Sequence, residues 1–174
     1  NKEQELRLVL SEKRFEFALE ASMGGVWDWN LVNNTVFYSE QSMKILDLDE
    51  AEGINSFENC ISKVHPDDQK EYLTDIDMHL KGITDVYESL HRVKGRKGPY
   101  KWILDRGKVI ERDKSGKPLR IIGTHTDVSS QKEREDELKK TLDIVSEQNS
   151  RLLNFAHIVS HNLRSHAGNF TMLL

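Results

Sequence analysis

The sequence predicts an α+β fold, a largely antiparallel sheet with flanking helices, continued by one long C-terminal helix. Three observations predict it. Between Gly25 and Asp127, short segments of alternating polarity come as two strands, then helices, then three strands, and this segregated order belongs to α+β chains rather than to alternating α/β ones. The last three strands, at 84–94, 100–110 and 118–127, are separated by Lys94-Gly-Arg-Lys-Gly-Pro99 and Asp113-Lys-Ser-Gly-Lys-Pro118, the spacing of an antiparallel meander. Finally, Leu138, Leu142, Val145, Asn149, Leu152, Ala156, Val159, Leu163, His166, Phe170 and Leu173 recur at strictly alternating spacings of four and three. Five heptads in phase predict a parallel dimeric coiled coil, hence a homodimer.

Composition bounds the rest. With 174 residues, 31% charged, 37% hydrophobic and a formal net charge of −4, the chain holds one ordinary domain plus extra elements. No Lys/Arg run stands out, which argues against a nucleic-acid partner. The single Cys60 excludes an internal disulfide framework and any multi-cysteine metal site, and no metal is expected. No apolar run approaches the roughly 18 residues that span a bilayer, and no signal peptide is visible. A cytoplasmic location is therefore expected, with any membrane anchor carried elsewhere in a parent protein. The first residue is Asn and the last falls mid-helix, the expectation for a piece of a longer chain.

In order, residues 1–22 read as an amphipathic helix, with Leu6, Leu10, Phe17 and Ala21 at helical spacing, ended by Met23-Gly-Gly25. Val26-Trp-Asp-Trp-Asn30 alternates with both tryptophans on one face, and Asn33-Asn34 turns the chain into Thr35-Val-Phe-Tyr38. Ser39 is a good N-cap for a short helix through Lys44 and Leu46. His65-Pro-Asp-Asp68 opens another helix, with Pro at its first position and acidic residues where the dipole favours them. That helix runs to about Lys81 and stops at Gly82. After the meander, Ser130-Gln-Lys-Glu133 is a capping box that predicts where the long helix begins.

Gly25-Val-Trp-Asp-Trp29, Val64-His-Pro-Asp-Asp68, Trp102 on the penultimate strand and Gly123-Thr-His-Thr-Asp-Val-Ser129 together resemble the PAS family over about residues 14–130. The resemblance implies a five-stranded antiparallel sheet with helices over one face. It also implies either a small-molecule ligand in the hollow between them or simple dimerisation. Asp127-Val128-Ser129 is similar to the terminal motif of that family, whose acidic residue and hydroxyl couple the sheet to the departing helix. The ligand stays unknown. Asn59-Cys60 shares two letters with the flavin-binding members, but its surroundings do not match, and Cys60 reads as a small buried hydrophobe. A haem would need an axial ligand; His65 belongs to a helix start, and His79, His91 and His125 sit in charged surroundings. Trp27, Trp29 and Trp102 are candidates for lining a pocket, and aromatic residues on a sheet face are more often core.

Near the C-terminus, Leu152, Phe155, Val159, Leu163, His166, Phe170 and Leu173 form one stripe, and His161 points almost to the opposite side with His157 and Arg164 beside it. An imidazole held in solvent on an apolar-backed helix is what a partner-accessible nitrogen requires. Ser160-His161-Asn162-Leu163-Arg164-Ser165 resembles the H-box of sensor histidine kinases. The resemblance implies that His161 is the phosphoacceptor, taking a phosphoryl group from ATP, held with Mg²⁺ by a separate catalytic domain, and passing it to the receiver domain of a response regulator. Two departures stand out. Asn162 occupies the place of the usual Glu or Asp; it can orient His161 but is no base at neutral pH. His166 replaces a common Pro and leaves the helix straighter. Ser165 falls where relatives position water for dephosphorylation. Asn149, at an a position, fixes register.

The expected organisation is an N-terminal helix (1–22), a PAS sensor domain (23–129), a coiled-coil linker (130–152) and the first part of a phosphoacceptor helix (153–174). The fragment lacks the ATP-binding domain and is expected to be inactive alone. The competing expectation is a ligand-gated or constitutive dimerisation module whose His161 is never phosphorylated.

Overall fold

The computed structural model describes residues 2–22, 24–49 and 54–170, without the side chains of residues 16, 20, 54 and 166–170. Met23 and Leu173 therefore lie outside the described residues, as do the side chains of His166 and Phe170, so their assigned places in the helix break and the heptad seam have no structural counterpart. The chain divides into two units, Asn1–Ser129 and Ser130–Leu174.

In the first unit the order is α1 (Lys2–Ala21), β1 (Gly25–Asn30), β2 (Thr35–Tyr38), α2 (Glu40–Leu46), β3 (Ile54–Ser56), α3 (Phe57–Lys63), α4 (Pro66–Leu80), β4 (Tyr87–Lys94), β5 (Tyr100–Arg112) and β6 (Pro118–Asp127). Alternation in β1 buries Trp27 and Trp29 and leaves Val26, Asp28 and Asn30 half-exposed. The turn to β2 is built by asparagines. Asn30 Oδ1 accepts the Val32 N–H at 2.9 Å, and Asn34 adopts φ 56°, a left-handed conformation that Asn tolerates. Ser39 caps α2 by accepting the Ser42 N–H at 3.2 Å. His65 caps α4, Pro66 follows in its first turn, and Asp67 and Asp68 lie at its positive end.

The sheet has six antiparallel strands in the order β3-β2-β1-β6-β5-β4, one more than the five expected. The extra strand pairs only Ile54, Asn55 and Ser56 with β2, too short a run for alternation to be legible. β1 and β6 are adjacent at the centre, so the last strand leaves the sheet from its middle. One face carries the core: Trp27, Trp29, Val36, Tyr38, Ile103 and Ile121 pack with Ile45 and Leu46 of α2 and Tyr72 and Ile76 of α4. In α1 the predicted apolar residues Leu6, Leu10 and Phe17 are all exposed.

The second unit continues α5 (Ser129–Phe170), 42 residues of uninterrupted helix. Helix starts one residue before the predicted Ser130 cap. The Asp127 carboxylate accepts the Ser129 N–H at 3.0 Å and so takes over the capping role from Ser130. Among the described residues no helix is long and apolar enough to cross a membrane.

Candidate functional site

Beneath the helices the core is not wholly apolar. Asp105 sits on β5 at the parity of Ile103 and Gly107, so strand alternation turns its carboxylate inward, where it is 3% exposed. A buried carboxylate is costly unless paired. Trp27 Nε1 donates to Asp105 Oδ1 at 3.1 Å, and His125 Nε2 lies 2.9 Å from the same oxygen. His91 Nε2 stands 3.8 Å from Oδ2. The other ring nitrogen of His125 meets Ser42 Oγ at 3.1 Å, and Ser42 in turn donates to the Val26 carbonyl at 2.9 Å. Two adjoining cavities of about 30 and 20 Å³ share a wall of Tyr38, Cys60, Tyr72, Asp105 and His125.

Burial dominates the electrostatics here. It raises the phenols of Tyr38, Tyr72 and Tyr87 well above their ordinary value. It pushes the Cys60 thiol up to about 11, with the Tyr38 hydroxyl, 2.7 Å from the sulfur, opposing. Cys60 is thus a neutral thiol, donating to Ser56 O at 3.2 Å, rather than a reactive thiolate. The His91 imidazole is held below its usual value, chiefly by desolvation.

The expected roles divide accordingly. His91 and His125, placed by sequence in charged surroundings, are buried in the core, because β4 and β6 alternate them inward. His79 is buried too, with Nδ1 against Thr84 O at 2.9 Å and Nε2 accepting the Val109 N–H at 3.0 Å; both nitrogens are used structurally. His65 Nδ1 accepts the Asp67 N–H at 3.2 Å. Trp27 and Trp29 line the second cavity, but Trp102 does not, since it faces away from Ile103 to the outer side of the sheet. Tens of Å³ fit water or a few heavy atoms, whereas drug-sized ligands occupy roughly 300 Å³ or more. Sequence reasoning missed Asp105 and Ser42. A charged residue at core-facing parity within a strand was the available signal for Asp105.

At the exit from the sheet, Asp127, Val128 and Ser129 form a compact junction. Val128 N–H donates to Trp102 O at 2.9 Å, Trp102 N–H donates to Ser129 Oγ at 2.9 Å, and Asp127 holds the Ser129 amide. In the second unit His161, Asn162, Ser165, His157 and Asn149 are all exposed on α5. Leu138, Leu142, Val145, Leu152, Val159 and Leu163 are exposed in the single chain as well.

A six-stranded antiparallel sheet, helices on one face and a small hollow between them define a small α+β module. The sequence profile described as PAS fold matches residues 35–125, more than half of the chain, and the chain belongs to that family. It is 31% identical over 104 residues to hybrid signal transduction histidine kinase A of Dictyostelium discoideum, and 35% identical over 89 residues to the peroxide stress-activated histidine kinase mak1 of Schizosaccharomyces pombe. These matches cover 59% and 51% of this chain but only 5% of each relative. Among solved structures, a sensory box histidine kinase/response regulator from Burkholderia thailandensis superposes with a TM-score of 0.66 at 29% identity, covering 77% of this chain and 98% of that one. The N-terminal domain of a diguanylate cyclase with a PAS/PAC sensor, from Marinobacter aquaeolei, gives 0.54 at 25% identity, covering 62% and 97%.

Proposed function

We propose that this chain is the sensory PAS domain and start of the phosphoacceptor helix of a cytoplasmic two-component sensor histidine kinase. A signal arising at the cavity passes along β6, through Asp127, Val128 and Ser129, into α5, and changes the rotation or register of a parallel dimeric coiled coil whose partner is a second copy. Asn149 fixes that register. His161 is the phosphoacceptor, Asn162 orients its ring, and Ser165 positions water for dephosphorylation. ATP and Mg²⁺ belong to a catalytic domain elsewhere in the parent, and the phosphoryl group goes to a response-regulator receiver domain. A small molecule in the cavity is the expected input.

The observation that carries this reading is that one helix runs unbroken from Ser129, just past the end of the central strand β6, beyond His161. Its apolar surface also widens on the way. Up to Asn149 the seam is mainly a and d, whereas Leu152, Leu153, Phe155, Ala156, Ile158, Val159 and Leu163 spread over several adjoining positions, the broader stripe that helices of a bundle present. His161 falls at f, on the side away from it. The histidine-kinase relatives support the same parentage. The test is transfer: the parent kinase given labelled ATP should pass label to its receiver domain, and its His161→Gln form should not.

The second reading, a dimerisation or ligand-binding module without phosphotransfer, is favoured by one observation. Asn162 stands where a carboxylate base is usual. Binding of ATP with no label on either form would support it.

A further inference from the structure

We propose that Arg92 is a positioning residue tying the start of α4 to the start of α5, so that a displacement of α4 over the cavity reaches the exit helix along the outer face of the sheet. This deepens the signalling reading above and rests on its assignment of Asp127–Ser129 as the exit.

Asp68 lies in the first turn of α4, one turn before Tyr72, which lines both cavities. The Asp68 carboxylate accepts Arg92 Nη2 at 2.6 Å and Nε at 2.8 Å, a two-pronged pair, and also the Arg92 main-chain N–H at 2.9 Å. The Arg92 carbonyl accepts the His65 N–H at 2.8 Å. The N-terminus of α4 is thus pinned to a single residue of β4. The pair is partly shielded, with Asp68 16% and Arg92 29% exposed, which makes it firmer than a solvent-bathed ion pair.

Arg92 is in register with Trp102 on β5, and its guanidinium stands 5.2 Å from the indole centroid. The main chain of Trp102 is in turn committed at both ends to the junction, N–H to Ser129 Oγ and carbonyl from Val128 N–H, each at 2.9 Å. Every step from Asp68 to Ser129 is a hydrogen bond, a cation–π contact or a single residue. Arginine suits both demands: its planar fork matches the carboxylate, which an ammonium cannot do, while its cation stands over the indole. This also gives the His65-Pro-Asp-Asp68 segment a second purpose beyond starting a helix.

The experiment is amide hydrogen exchange on this chain, comparing wild type with Asp68→Asn, Arg92→Lys and Ser129→Ala. The Trp102 and Val128 amides should exchange about tenfold faster in Asp68→Asn and Arg92→Lys, although Asp68 touches neither. In return, Ser129→Ala should speed the Arg92 amide, since coupling is reciprocal. Protection at Ile103 and Ile121 reports an intact fold, and Arg92→Lys, which keeps the charge, serves if Asp68→Asn is poorly folded. Opening confined to the His65 and Arg92 amides, with Trp102 and Val128 unmoved, overturns the proposal. The readout needs no phosphotransfer. Coupled exchange with an unlabelled His161 would therefore sink the kinase reading alone, and a labelled His161 with unmoved Val128 would sink the bridge alone.

Discussion

The Asp105 carboxylate lies 2.9 Å from His125 Nε2, in a core that leaves each side chain less than a tenth exposed. Trp27 shares the same carboxylate oxygen, and Ser42 holds the far side of the imidazole. Each member satisfies a group that would otherwise be buried without a partner. Asp105→Ala strands the Trp27 and His125 donors at once and should cost about 3–5 kcal/mol, read as a lower urea midpoint at unchanged slope. A loss under about 1 kcal/mol would mean the pair is not buried as described.

Gly25 begins β1 directly beneath α2. A Cβ there would run into the Cα, main-chain nitrogen and hydroxyl of Ser42, atoms fixed by the helix and unable to swing aside. Gly25→Ala should therefore cost about 1–3 kcal/mol by overpacking, although its φ permits alanine. Thermal unfolding checks this; a Tm equal to that of the parent contradicts the close approach.

His91 supplies a pH dependence. Burial lowers its protonation range, Asp105 opposes that shift, and His125 adds to it; Tyr72 packs on the ring and Asp68 pulls more weakly. Between about 6.5, the ordinary histidine value, and the lowered folded value, the unfolded chain binds more protons than the folded one. The contribution of His91 to stability is thus complete above about pH 6.5 and is lost as pH falls through the folded value. Wild type should lose stability more steeply than His91→Gln as pH falls below about 6.5, by denaturant titration at each pH. Parallel slopes would show that His91 does not titrate abnormally.

Much of this architecture was legible in the chain, for identifiable reasons. Trp27 and Trp29 announced a strand because alternation is local, and Ser39 and His65-Pro66 announced helices because caps are local too. β3 was not legible, since its three residues are held by β2 rather than by any pattern of their own. The polar core was hidden for a different reason. Asp105 and His125 face each other across the β5–β6 pair, and Ser42, far away in sequence, joins them only through the packing of α2 against β1 and β6. The junction was half-legible: its acidic residue and hydroxyl were visible, but their partner Trp102 and the helix start at Ser129 were not.

In the coiled coil proposed above, Asn149 at an a position should weaken pairing while holding its register. Asn149→Leu should raise the melting temperature of the dimer and alter the basal activity of the parent kinase. Unchanged activity with unchanged response to signal would count against control through register.

The most direct test of the account is autophosphorylation of the parent kinase with labelled ATP beside its His161→Gln variant, followed by acid treatment. The account predicts a label that is lost in acid and absent from the variant, as phosphohistidine at His161 requires. A label that survives acid, or one that persists in the His161→Gln chain, would place the chemistry on another residue and contradict it.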